Sequence, residues 1–107
     1  MRRGDLVTVA APGDTGKPRP ALIIQSDLFE ELPSVTLCLV TSELRHAPIF
    51  RITVDPSPDS GLRRVSQIQV DKVMTVARER IGGGIGRPDG ATMLKVNRSL
   101  AVFIGIA

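Results

Sequence analysis

Proline and glycine cut this chain into apolar segments short enough to be strands, until one longer helical pattern appears near its end. A Gly/Pro/Asp loop spans 11–18, Pro33 closes the next stretch, and Asp55-Pro56-Ser57-Pro58-Asp59-Ser60-Gly61 is a turn. Between these breaks, residues 6–11, 21–25, 35–41, 50–54, 65–70 and 73–77 read as strands. Segment 35–41 is rich in β-branched residues, and 21–25 is apolar enough for burial on both faces. In 50–54 and 65–70, apolar and polar residues alternate. Residues 26–32 read as one helical turn, with Asp27 and Glu30 spaced as a capping box. Gly82-Gly83-Gly84-Ile85-Gly86 lacks the Gly-Lys-Ser/Thr end of a phosphate loop and the βαβ setting of a dinucleotide site, so a flexible turn is expected. Asp89 then caps a helix that sets Met93, Val96, Leu100, Phe103 and Ile104 on one face. Five or six short strands and one helix in 107 residues predict a single domain, mainly β: a small barrel with a C-terminal helix over one end.

Composition narrows the ligand. Phe29, Phe50 and Phe103 are the only aromatic residues, so a bound nucleic acid cannot be held mainly by stacking, and arginine must supply both charge and planar surface. The net charge is +3, with Arg2, Arg3, Arg45, Arg51, Arg63, Arg64 and Arg87 near chain breaks. A basic face for a polyanion and a merely solvated surface both fit that charge. Cys38 is the single cysteine, which excludes an internal disulfide and a cysteine metal cluster. Its apolar segment makes it a buried, inert thiol. His46 is the single histidine, which excludes two-histidine RNA cleavage within one chain and a multi-histidine metal site. The absence of a membrane-length apolar run, and of a signal-type core after Met1-Arg2-Arg3, leads to the expectation of a cytoplasmic protein with no membrane partner.

One constellation carries chemistry. In Lys17-Pro18-Arg19-Pro20, each proline fixes its own φ and pushes the residue before it toward extended backbone. Arg19 is thereby held ready at the mouth of a strand, and its planar fork suits a phosphate. Thr41 stands where the central strand ends, followed by Ser42, and Asp71 stands at a later strand end.

Arg3-Gly4-Asp5, Gly16-Lys17-Pro18-Arg19-Pro20-Ala21, Val40-Thr41-Ser42, the segment from Ser66 to Val73, and Arg80-Ile81-Gly82 together resemble the MazF/PemK family of toxin ribonucleases over nearly the full length. The resemblance implies an SH3-like (CcdB/MazF-type) barrel, a homodimer, and cleavage of single-stranded RNA without metal or other cofactor, leaving a 2′,3′-cyclic phosphate and a 5′-hydroxyl. It assigns catalysis to Arg19, Thr41 and Asp71, with Lys17, Thr15, Ser42, Gln69 and Arg45 as expected RNA contacts. Some members carry an arginine two residues before that aspartate; this chain has Gln69 there. The identity of the general base stays open: Arg19 could serve only with a strongly depressed pKa, which arginine resists, and Asp71 or a group of the substrate is an alternative. The implied partner is a cognate antitoxin with an acidic, disordered segment, and DNA is reached only through that complex. Two alternatives share the fold: a CcdB-type gyrase-binding toxin without nuclease activity, and an inactive DNA-binding co-repressor. The first acts through C-terminal residues including a tryptophan, and this chain has none.

Overall fold

The computed structural model describes residues 1–10 and 17–107. Strands β1 (Leu6–Val9), β2 (Arg19–Ile23), β3 (Ser34–Thr41), β4 (Arg51–Val54), β5 (Ser66–Ala77) and β6 (Ile81–Gly86) form one sheet in the order β4-β5-β3-β2-β1-β6, followed by helix α1 (Gly90–Phe103). Every pairing is antiparallel. The expected end of the first strand at Ala11, and the loop over 11–16 with Thr15, lie outside the described residues.

Alternation along the strands places two apolar sets on opposite sides of the sheet. Leu6, Leu22, Cys38, Val40, Ile52, Ile68 and Val70 pack with Val96 of α1. Val7, Val9, Ala21, Ile23, Val35, Leu37 and Val76 form the other set. β2 feeds both, as its apolar run predicts: Ala21, Leu22 and Ile23 are all buried. Each such large side chain contributes about 1.5–3 kcal/mol by leaving water.

α1 starts at its expected cap. The Asp89 carboxylate accepts from the Thr92 N–H at 2.7 Å; hydrogen bonding from the Thr92 side chain first, and from its N–H second, holds the carboxyl below the usual range. Val96 is buried, with Met93 and Leu100 against the same cluster. Phe103 and Ile104, expected on that face, are instead exposed, because the helix runs on past the apolar set beneath it.

Four sequence expectations change. The sheet does not close: β4 and β6 are its edges. The segment after β4 comes between them, and the Arg87 N–H donates to the Asp59 carbonyl at 2.8 Å. The glycine run is a strand, not a flexible turn, because it pairs with β1. A Cβ on Gly82 would lie 2.4 Å from Thr8 Oγ1, so this close approach needs glycine. Residues 65–70 and 73–77 belong to one strand, and the expected corner at Asp71-Lys72 is a bulge opposite Leu39: Cys38 pairs with Val73 but Val40 pairs with Ile68. Finally, Ser26 caps the 3-10 turn Asp27–Phe29, its hydroxyl accepting from the Leu28 N–H at 3.2 Å. The Asp27 carboxylate turns to a distant donor, the Arg3 N–H, at 2.7 Å.

Candidate active site

The register of the sheet assembles the site. Ala21 pairs with Leu39; the same register continued by two residues would bring Arg19 level with Thr41, and the two line one pocket. Thr41 pairs with Gln67, and Gln67 with Thr53. Cross-strand partners project to the same face with Cβ atoms about 4.5–5.5 Å apart. Arg19, Thr41, Gln67 and Thr53 therefore make one polar row over four strands. Ala21, Ile23 and Leu37 share the parity of Arg19 and Thr41 and belong to the second apolar set. The row thus continues that face where its apolar residues stop.

Arg19 and Thr41 line one open pocket of about 280 Å³, together with Pro20, Val40, Ser42, Leu62, Arg63, Arg64 and Ser66. Three of these residues are arginines, and none of the described lining residues is a carboxylate. Arg19 is exposed at the start of β2, where the prolines on either side hold its backbone extended. Thr41 is half-buried. Its hydroxyl oxygen accepts from the Glu43 N–H at 3.1 Å, which leaves the O–H available as a donor.

Gln67 is the site residue the sequence did not reveal. Its side chain is buried. Its Oε1 accepts from the Arg45 N–H at 3.0 Å and from Arg51 Nη1 at 3.2 Å. Its Nε2 donates to the Arg45 carbonyl at 3.0 Å and to Thr53 Oγ1 at 3.4 Å. All four hydrogen-bonding positions of the amide are used. The effect is to staple the segment after Thr41 onto the sheet beside the pocket. A glutamine alternating with apolar residues looks like an outward polar position; only the folding-over of residues 43–51 buries it.

The other expected residues fall as follows. Ser42 is in the pocket. Lys17 is exposed two residues before Arg19. Arg45 is pinned through its backbone, while its guanidinium faces Glu43 at 3.7 Å. Gln69 is half-buried and pairs with Arg51 one step along β5. Asp71 is not among the residues of that pocket. It sits in the bulge, 3.6 Å from Lys72, with one carboxylate oxygen buried and unbonded among the described residues. Its charge reaches Cys38, whose thiol is pushed up to about 12, first by burial and further by Asp71. Among the described residues, no three His, Cys, Asp or Glu side chains come together as metal ligands.

Comparison with known proteins extends these observations. A family model described as PemK-like, MazF-like toxin of type II toxin–antitoxin system matches residues 2–104. The chain is 47% identical over 108 residues to a protein of Mycolicibacterium smegmatis described as a probable endoribonuclease MazF, covering 100% of this chain and 99% of that one. Its fold is similar to that of a mycobacterial endoribonuclease solved in complex with its cognate antitoxin, with a TM-score of 0.82 at 22% identity, over 100% of this chain and 97% of that one. The Mycobacterium tuberculosis toxin MazF-mt6 superposes with a TM-score of 0.82 at 19% identity, over 96% of this chain and 98% of that one.

Proposed function

This chain belongs to the PemK-like, MazF-like toxins of type II toxin–antitoxin systems, and from that premise we propose that it is an endoribonuclease cutting single-stranded RNA in the pocket of Arg19 and Thr41. The observation that carries this reading is the pocket itself: a strand-mounted guanidinium and a threonine hydroxyl share a wall with two more arginines, and no described lining residue is a carboxylate. Such a pocket favours an anion. When a ribose 2′-hydroxyl attacks the adjacent phosphate, negative charge grows on the equatorial oxygens. The Arg19 fork and the Thr41 O–H are fixed donors for that charge. The 5′-oxygen departs and takes up the proton that the 2′-hydroxyl gives up, leaving a 2′,3′-cyclic phosphate and a 5′-hydroxyl. Neither donor role needs a metal. Asp71 is not among the residues that line this pocket, and the attacking proton is relayed to the 5′-oxygen through a phosphate oxygen of the substrate.

The partners follow from charge and surface. A cognate antitoxin with an acidic, disordered segment would lie along the cationic pocket and exclude RNA. DNA would be reached through that complex. The protein would work as a homodimer in the cytoplasm, its outward Val102, Phe103 and Ile106 covered by a second copy. Among the described residues, no helix is long and apolar enough to cross a membrane.

The test is cleavage of a long unstructured RNA in excess EDTA, with the product ends identified chemically. Cyclic phosphate and 5′-hydroxyl ends that disappear with Thr41→Val and Arg19→Ala support the reading. Cleavage that requires Mg²⁺, or that leaves 5′-phosphate ends, overturns it.

A further inference from the structure

Most arginines of this protein have structural work. Arg3, Arg51, Arg78, Arg80 and Arg87 donate to backbone carbonyls. Arg2 and Arg45 face carboxylates. Arg63, Arg64 and Arg98 differ: all are exposed, and none has a hydrogen bond or ion pair to a described residue. Two cations adjacent in the chain, with no counter-charge among the described residues, gain the fold little by standing there. Yet Arg63 and Arg64 both line the pocket of Arg19 and Thr41.

The backbone that carries them is fastened on both sides. Ser60 is buried, its N–H donating to Ser57 Oγ at 2.9 Å and its own Oγ accepting from the Leu62 N–H at 3.3 Å. Gly61 has φ +69°, and a Cβ there would lie 2.0 Å from the Ile85 carbonyl oxygen, so the chain must be glycine at this crossing. Leu62 packs into the first apolar cluster. On the far side, Ser66 Oγ donates to the Arg64 carbonyl at 2.9 Å. Two uncompensated guanidinium groups on an anchored turn form a preset anion site, because little ordering of the backbone remains to oppose binding.

We propose that Arg63 and Arg64 form a phosphate clamp, separate from the catalytic pair, that grips the RNA backbone next to the bond being cut. This rests on the reading of the pocket as the RNA site. The clamp binds substrate and transition state alike, so its loss should raise KM and leave kcat nearly unchanged. It contacts phosphates only, so it should act equally on all sequences.

The probe is a mixed-sequence single-stranded RNA carrying 2′-O-methyl groups throughout, which lacks the attacking hydroxyl. Its affinity is measured from low to high salt for the wild type, Arg63→Gln, Arg64→Gln and the double variant. Arg98→Gln on α1, likewise exposed and without a described partner, serves as control. Circular dichroism and thermal melting establish that each variant is folded. The clamp predicts a log–log salt slope shallower by about 0.7 for each single variant and about 1.4 for the double. Arg→Lys at both positions should restore the slope, and Arg98→Gln should leave it unchanged. A double variant that keeps the wild-type slope, while the wild type still cleaves RNA, overturns the clamp and leaves the endoribonuclease reading standing. A wild-type chain that neither binds nor cleaves RNA overturns both.

Discussion

Replacing Gln67 with methionine should unfasten the segment that follows Thr41 and Ser42. The two side chains are alike in length and volume, so the change removes polarity with little change in packing. Four hydrogen bonds disappear: two to the Arg45 backbone, one to Arg51 Nη1 and one to Thr53 Oγ1. At about 1 kcal/mol each, their sum would be about 4 kcal/mol. Part of this returns. Arg45 and Thr53 are exposed and can bind water, and Arg51 Nη1 keeps its bond to the Glu43 carbonyl at 3.0 Å. The buried methionine also gains from leaving water. The net loss should be about 2 kcal/mol, or about 10 °C in Tm for a domain of this size. Because the loosened segment begins beside Thr41, kcat/KM for RNA cleavage should fall by about tenfold or more, even well below the melting temperature. Gln67→Glu should not rescue either property, since it turns the Nε2 donors into an acceptor facing the Arg45 carbonyl. Calorimetry and cleavage kinetics on the same preparations provide the assay. A methionine variant within about 0.5 kcal/mol of wild type, with unchanged cleavage, would refute the view that this amide organises the site.

Arg19→Ala should lower cleavage by about 10²–10³ in a chain that still folds, and Arg19→Lys should recover little, because an ammonium cannot reproduce the fork; near-wild-type cleavage would remove Arg19 from the site. Gly61→Ala should destabilise by about 3 kcal/mol or more, since it combines a left-handed backbone with a collision against the Ile85 carbonyl, and denaturant titration measures this directly. Burial raises the Cys38 thiol from 9.0 to about 12, so the unfolded chain loses that proton first. Stability should therefore fall as pH rises between those values, and urea midpoints should show a smaller fall in Cys38→Ala; an unchanged fall would mean that other groups cause it. Purified antitoxin and the 2′-O-methyl RNA should exclude each other, and joint binding at full occupancy would place inhibition elsewhere.

The sequence by itself determined what is local. Prolines 18 and 20 set the backbone at Arg19, Asp89 started α1, and apolar runs marked strands at β1 to β4, because dihedral limits, caps and side-chain alternation act within a few residues. The resemblance carried the family and pointed to Arg19 and Thr41, but not to how they meet. That was a matter of tertiary structure. Strand pairing is between partners distant in sequence, and a period of two specifies a face without specifying a neighbour. Only the folded sheet brings Arg19 and Thr41 to one pocket and pairs Thr41 with Gln67. Only pairing with β1 turns a run of glycines into β6, and only the pairing with β3 shows that Asp71 falls in a bulge of β5. Gln67 and Arg51 are ordinary polar residues until the segment between β3 and β4 folds back over them. Arg63 and Arg64 became distinct only once the fold set them beside Arg19 and Thr41, since lining a shared pocket is a property of the folded surface and of no single stretch of sequence.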